Sequence, residues 1–230
     1  FALNLSANRG GKWDDAIDAA LTLLENAMAA EDTLPRSACM AAEELLLPMA
    51  AAAREYEVIY VGHAHIDMNW MWGWQETVAA TLSTFRTILR LMQEYPGFTY
   101  SQSQASVYKI VEEYDPELMA EIQQRIREGR WEITANAWVE TDKNMPNGES
   151  LSRHILYTKE YLAKLFDIAP DTLRLDFEPD TFGHNANVPE ILQNGGVDYY
   201  YHCRGCNPRG PYRWQSPSGK EVIAYSDPSW

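Results

Sequence analysis

The sequence predicts an α/β fold built on a parallel sheet with crossover helices, and three observations point to it. After Glu55, short runs rich in β-branched and aromatic residues alternate with amphipathic stretches at helical spacing, which is the pattern of successive βα units. A chain of 230 residues with 46% hydrophobic content can bury a full core, as one large or two small domains. The first 54 residues read differently, as alanine-rich helices without a strand pattern, so a helical lead-in over 1–54 is expected to precede the βα series over 55–230.

Taken in order, the first expected helix runs over Trp13–Ala30, where Ile17, Leu21 and Leu24 recur at helical spacing. A second covers Ser37–Tyr56, separated from the first by Asp32-Thr-Leu-Pro35. Strands are expected at Val58–Gly62, Phe98–Ser101, Trp131–Ala135, Thr172–Phe177, Tyr199–His202 and Glu221–Tyr225. Helices between them are expected over Gln75–Glu94, Ala105–Glu128, Glu149–Phe166 and Val188–Asn194. Six strands in one series suffice either for most of a barrel or for an open doubly wound sheet. The chain opens at Phe1 and ends on a strand pattern, so it is expected to be part of a longer protein.

Composition removes several classes of function. Nineteen basic against thirty-three acidic residues give a net charge of −14, which repels nucleic acid and anionic lipid surfaces. Apolar runs fall short of the roughly 20 residues of a membrane span, and no signal-peptide pattern opens the chain. Cys39, Cys203 and Cys206 are an odd set, unlike a disulfide framework, and suggest a reducing, cytoplasmic location. Glycine-rich phosphate loops are missing, which disfavours nucleotide cofactors.

The chemistry-bearing residues gather where strands are expected to end. Val58-Ile-Tyr-Val-Gly62 runs into His63-Ala-His65-Ile-Asp67, and side chains two apart on a strand share a face. His63, His65 and Asp67 are thereby candidate ligands for zinc or a similar divalent ion. Nearby Trp70, Trp72 and Trp74 suit stacking on sugar rings as well as core packing. A second cluster, Glu178-Pro-Asp180-Thr-Phe-Gly-His184, follows the fourth expected strand, and Asp180 there is placed to act as ligand, nucleophile or turn former. The third is Asn136-Ala-Trp138-Val-Glu140-Thr-Asp142. Cys203 and Cys206 could form half of a structural zinc site, but the sequence supplies no second half beyond Cys39.

Together these motifs resemble the class II α-mannosidases of glycoside hydrolase family 38, in their bacterial and cytosolic branch. The resemblance spans about Val58 to Arg204 and rests on His63-Ala-His65-Ile-Asp67-Met-Asn-Trp70, on Asn136 through Asp142 with Asn147-Gly-Glu-Ser150, and on Pro179-Asp180-Thr-Phe-Gly-His184. It implies an incomplete seven-stranded (β/α) barrel, a zinc ion held by His65, Asp67 and Asp180, and Asp180 as the nucleophile of a retaining α-mannosidase. His63 matches a position that is not a ligand. Trp70, Asp142 and Arg204 are the implied sugar-binding residues, Arg204 by its spacing from Asp180 alone. A fourth ligand and the general acid/base are implied to lie beyond Trp230, so His154, His184 and His202 are not assigned to the metal and this chain alone is expected to be inactive. Mannose-containing oligosaccharide is the implied partner, with a possible homo-oligomer at full length. Two alternatives stay open: a metal-dependent amidohydrolase or deacetylase using His63 and His65 jointly, and a non-catalytic carbohydrate-binding module.

Overall fold

The computed structural model describes residues 1–57, 60–205 and 209–227. The chain divides into two compact units, Phe1–Tyr60 and Val61–Trp230. In the first, α1 (Ala2–Ala7) leads through a glycine turn to α2 (Asp14–Glu31), then α3 (Arg36–Leu46) and α4 (Ala50–Ala53). Pro48 interrupts the expected second helix, because proline lacks the N–H that a helix interior needs. The small core of this unit holds Leu5, Trp13, Ile17, Met49 and Ala52.

The second unit carries the βα series. Its strands are β1 (Gly62–His63), β2 (Tyr100–Gln102), β3 (Trp131–Ile133), β4 (Leu175–Glu178), β5 (Tyr199–His202), β6 (Gly210–Gln215) and β7 (Glu221–Ser226). Its helices are α5 (Trp74–Glu94), α6 (Ala105–Tyr114), α7 (Pro116–Arg127), α8 (Gly148–Phe166) and α9 (Val188–Asn194). Strands β1, β2 and β3 form a parallel sheet, and a second sheet has the order β4-β5-β7-β6, parallel except for β6. The α/β fold with a parallel sheet is therefore present, as segments of three and four strands among the described residues.

Three departures from the expected elements have local causes. The stretch Ala105–Glu128 is two helices, since Pro116 starts a new one and the Asp115 side chain caps it by accepting the Leu118 N–H at 3.1 Å. Strand β6 was not expected: Pro211 argues against a central strand, and β6 indeed sits at a sheet edge, where a missing N–H is tolerated. Of the first expected strand, Val58 and Ile59 lie outside the described residues, and only Gly62–His63 pairs with β2.

Helices α5, α6 and α7 cover the first sheet through Phe85, Leu89, Tyr108, Val111 and Ile122, which meet Tyr100 and Trp131. Each such side chain contributes roughly 1.5–3 kcal/mol on leaving water. Helix α8 joins the two sheets: Leu162 and Phe166 enter the first core, and Ile155 enters the second with Val188, Leu192, Tyr200 and Ala224. The Asn136 amide, just past β3, donates to Leu175 O on β4 at 2.7 Å. On the opposite face Phe177, Tyr201 and Tyr225 stack along the register of β4, β5 and β7, with ring centroids 4.1 and 5.9 Å apart. The His63 ring lies 4.5 Å from Phe177, although β1 and β4 belong to different sheets. The two sheet segments thus meet at His63 and Phe177.

Candidate metal centre and cleft

Parallel strands deliver their polar followers to one end, and there the second unit opens a cleft of about 320 Å³ whose lining includes His65, Asp67, Gln104, Glu140, Asp180 and Phe182. His65 and Asp67 come from the segment after β1, Gln104 follows β2, Glu140 follows β3, and Asp180 and Phe182 follow β4. His65, Asp67 and Asp180 each turn one ligand atom inward, and these atoms lie within 4.8 Å of one another. From His65 Nε2, Asp67 Oδ1 is 3.2 Å away and Asp180 Oδ2 is 3.8 Å away. Two ligands at zinc distance and tetrahedral angle stand about 3.4 Å apart, so the donor set and its spacing suit such an ion.

Electrostatics favour a cation at the same point. Burial pulls the His65 imidazole down, but Glu140 at Nδ1 and Asp67 at Nε2 outweigh it and hold the ring above its ordinary pKa. Arg204 supplies positive charge from the other side, its Nε donating to Asp180 Oδ1 while its guanidinium carbon lies 4.4 Å from the Phe182 ring centre. Two imidazoles fix the Arg204 backbone: His184 Nε2 and His202 Nδ1 each stand 2.9 Å from its carbonyl. Both rings are shifted down by burial, His184 to about 4. Gly205 follows at φ +91°, where an added Cβ would lie 2.9 Å from the His184 ring.

Behind the cleft is a buried charged cluster. Lys143 Nζ donates to Glu178 Oε1 at 2.6 Å and stands 3.6 Å from Asp176 Oδ2. Burial works against the Lys143 charge, yet the two carboxyl groups outweigh it, while burial pushes the Glu178 carboxyl up. Thr181 Oγ1 links this cluster to the cleft, 2.6 Å from Glu178 Oε2 and 3.1 Å from Glu140 Oε1.

Of the residues singled out in the sequence, His65, Asp67, Asp180 and Arg204 converge, with Asp142 on the same cleft wall. The Asp142 carboxylate accepts the Asn144 N–H at 2.8 Å and abuts Gly183, where any Cβ would lie 2.1 Å from Oδ1. Trp70 stands apart from this wall, 70% exposed and edge-on to Trp72 at 5.6 Å. His63 turns away: its Nδ1 donates to Ser101 O at 3.1 Å, and burial lowers its pKa to about 4. The strand ends at His63, so the period-two spacing does not carry His63, His65 and Asp67 to one point. Asn147 caps α8, accepting the Ser150 N–H at 2.9 Å, which gives that motif a structural part. Cys203 is a free buried thiol, and Cys206 lies outside the described residues. Gln104 carries no signal in the sequence, and Phe182 stands in the Pro179–His184 motif without a role, because their places depend on contacts between distant segments.

Fold and cleft together define a parallel α/β domain whose strand ends present one imidazole and two carboxylates to a common point. Residues 55–228 match the Glycosyl hydrolases family 38 N-terminal domain, and the chain belongs to that family. Alpha-mannosidase G of Dictyostelium discoideum is 31% identical over 175 residues, covering 74% of this chain and 16% of that protein. Alpha-mannosidase 2C1 of Homo sapiens is 28% identical, over 76% of this chain and 17% of its own length. The chain thus spans about a sixth of the length of these curated relatives. An alpha-mannosidase from Enterococcus faecalis V583 shares the fold with a TM-score of 0.64 at 20% identity, over 72% of this chain and 19% of that one. Among the described residues, no helix is long and apolar enough to cross a membrane.

Proposed function

We propose that this chain supplies the metal half-site and the nucleophile of a retaining α-mannosidase acting on mannose-containing oligosaccharides. The observation that carries the reading is the convergence of His65, Asp67 and Asp180, from the ends of β1 and β4, with their ligand atoms within 4.8 Å. Family membership and α-mannosidase relatives support the substrate class. On this reading the two sheet segments are consecutive parts of a seven-stranded (β/α) barrel, with residues 1–54 as its lead-in. Free Cys39 and Cys203 fit a reducing, cytoplasmic setting.

His65, Asp67 and Asp180 would hold a zinc ion or similar divalent cation. When bound, such an ion supplies positive charge that grips sugar hydroxyls and favours a distorted, cation-like sugar ring. An Asp180 oxygen bonds to the anomeric carbon while the glycosidic oxygen leaves with a proton from a second carboxyl group; water then gives a proton back to that carboxylate as its oxygen bonds to the anomeric carbon and releases Asp180. Arg204 orients Asp180 through Oδ1, and Phe182 and Asp142 wall the sugar position. None of the residues described here is assigned as the second carboxyl. Incubation of the complete protein with a fluorinated mannosyl fluoride is expected to label Asp180 covalently, as read by peptide mass. Turnover of an aryl α-mannoside by Asp180→Ala at the wild-type rate would reject the mechanism.

A further inference from the structure

We infer that Glu140 is the positioning residue of this centre: a single carboxylate that sets the tautomer of His65 and the backbone of Asp180 together. The inference rests on the metal reading above and deepens it.

Glu140 is nearly buried, with 8% of its side chain exposed, and its two oxygens face different elements. Oε2 lies 3.0 Å from His65 Nδ1. Oε1 accepts the backbone N–H of Asp180 and stands 3.1 Å from the Thr181 hydroxyl. One side chain after β3 therefore reaches both ligand-bearing segments, after β1 and after β4. Both ring nitrogens of His65 face carboxylates, Nδ1 toward Glu140 and Nε2 toward Asp67 and Asp180 at 3.2 and 3.8 Å. A cation held by Asp67 and Asp180 takes the Nε2 lone pair, so the remaining hydrogen sits on Nδ1, where the Glu140 carboxylate can only accept. A histidine ligand backed by a carboxylate at its other nitrogen is oriented and made more basic, commonly by enough to change metal affinity 10–100-fold.

The Glu140 backbone is itself fixed. Gln104 Oε1 accepts the Glu140 N–H at 2.9 Å, and Gln104 Nε2 donates to Ile66 O at 2.9 Å, between the two ligands His65 and Asp67. On the far side Thr181 ties Glu140 to Glu178 and so to Lys143. The ligands thus sit on a frame whose central member is not a ligand.

Glu140→Gln separates orientation from packing, because the amide has the same shape but can accept on only one of the two sides. With its oxygen toward Asp180, its NH2 faces His65 Nδ1 and drives the hydrogen to Nε2; with the amide turned over, two donors meet at Asp180. Zinc affinity of the full chain, measured by competition with a chromogenic chelator, is expected to fall 10–100-fold in Glu140→Gln while the melting temperature of the metal-free chain is unchanged. Glu140→Asp, which keeps both acceptors, is expected to recover part of that loss. Equal affinity in wild type and Glu140→Gln, with binding lost in His65→Ala, would overturn the inference and leave the metal site standing. No zinc binding by wild type would remove the site and the inference together. For wild type a second reading needs no variant: the long-range proton–nitrogen spectrum of the zinc-loaded chain should show His65 metallated at Nε2 and protonated at Nδ1. The reverse assignment would overturn the proposal.

Discussion

The two units bury different things. In Phe1–Tyr60 the interior is a few apolar side chains from alanine-rich helices, and its buried polar group, Ser6, is satisfied locally by Asp14 at 2.7 Å and the Trp13 N–H at 2.9 Å. In the second unit Lys143, Asp176 and Glu178 are each at most 5% exposed, in a cluster that reaches the cleft through Thr181. Burying charge is unfavourable unless every member is paired, and apolar residues of similar volume would often hold such a fold as well or better. The contrast locates the chemistry: apolar burial is enough to hold helices together, whereas buried charge gathers behind the strand ends where ligands must be aimed.

Substitutions at matched positions test that contrast. The largest difference is expected between two aspartates. Asp180→Ala should lower kcat of the complete protein on an aryl α-mannoside on the order of 10⁴-fold or more, while Asp18→Ala, on the exposed side of α2, should leave it unchanged. Two lysines come next. Lys143→Met strands two buried carboxyl groups and should destabilise the second unit by about 3–5 kcal/mol in urea unfolding. Lys12, which merely overlies the Trp13 ring at 5.0 Å, should matter by about 0.5–1 kcal/mol. Ile17→Ala should cost the helical unit about 2–3 kcal/mol by cavity formation and leave zinc affinity as it was, since every candidate ligand lies after Tyr60.

A pH slope gives a further test. His184 binds protons less readily in the folded chain, near 4, than at its ordinary 6.5, so its contribution to stability is full above about 6.5 and is lost as pH falls toward about 4. His202 beside it shifts the same way, Lys143 adds to the effect, and Asp142 opposes it. The thermal midpoint should fall over that window, and His184→Gln should flatten the fall.

Much of this architecture could be read from residue order. Helices α2, α5, α8 and α9 and strand β5 lie within about a residue of their expected spans, because long amphipathic periods and a compact apolar run are strong local signals. Pro48 and Pro116 each start a new turn inside a helical pattern that hydrophobicity alone would continue, and the strand expected from Thr172 begins only at Leu175, after the turn opened by Pro170. In the cleft, His65, Asp67 and Asp180 were legible as polar residues following strands. Glu140 lies in the Asn136–Asp142 motif with no role that the sequence assigns, whereas the family resemblance points to Asp142 two residues on. Only the approach of the segments after β1, β3 and β4 distinguishes the carboxylate that faces His65 from the one that folds its own turn.

Gln104 adopts φ +66° and ψ +117°, a conformation that costs an L-residue about 1–3 kcal/mol, while its amide spans Ile66 and Glu140. Glycine would relax the main chain and lose both bonds; asparagine is one methylene too short to keep them; a longer or charged group has no room in a site 3% exposed. Each of these replacements gives up a bond or a fit that glutamine supplies. A library randomised at 104 alone should therefore return the parent as its tightest zinc binder.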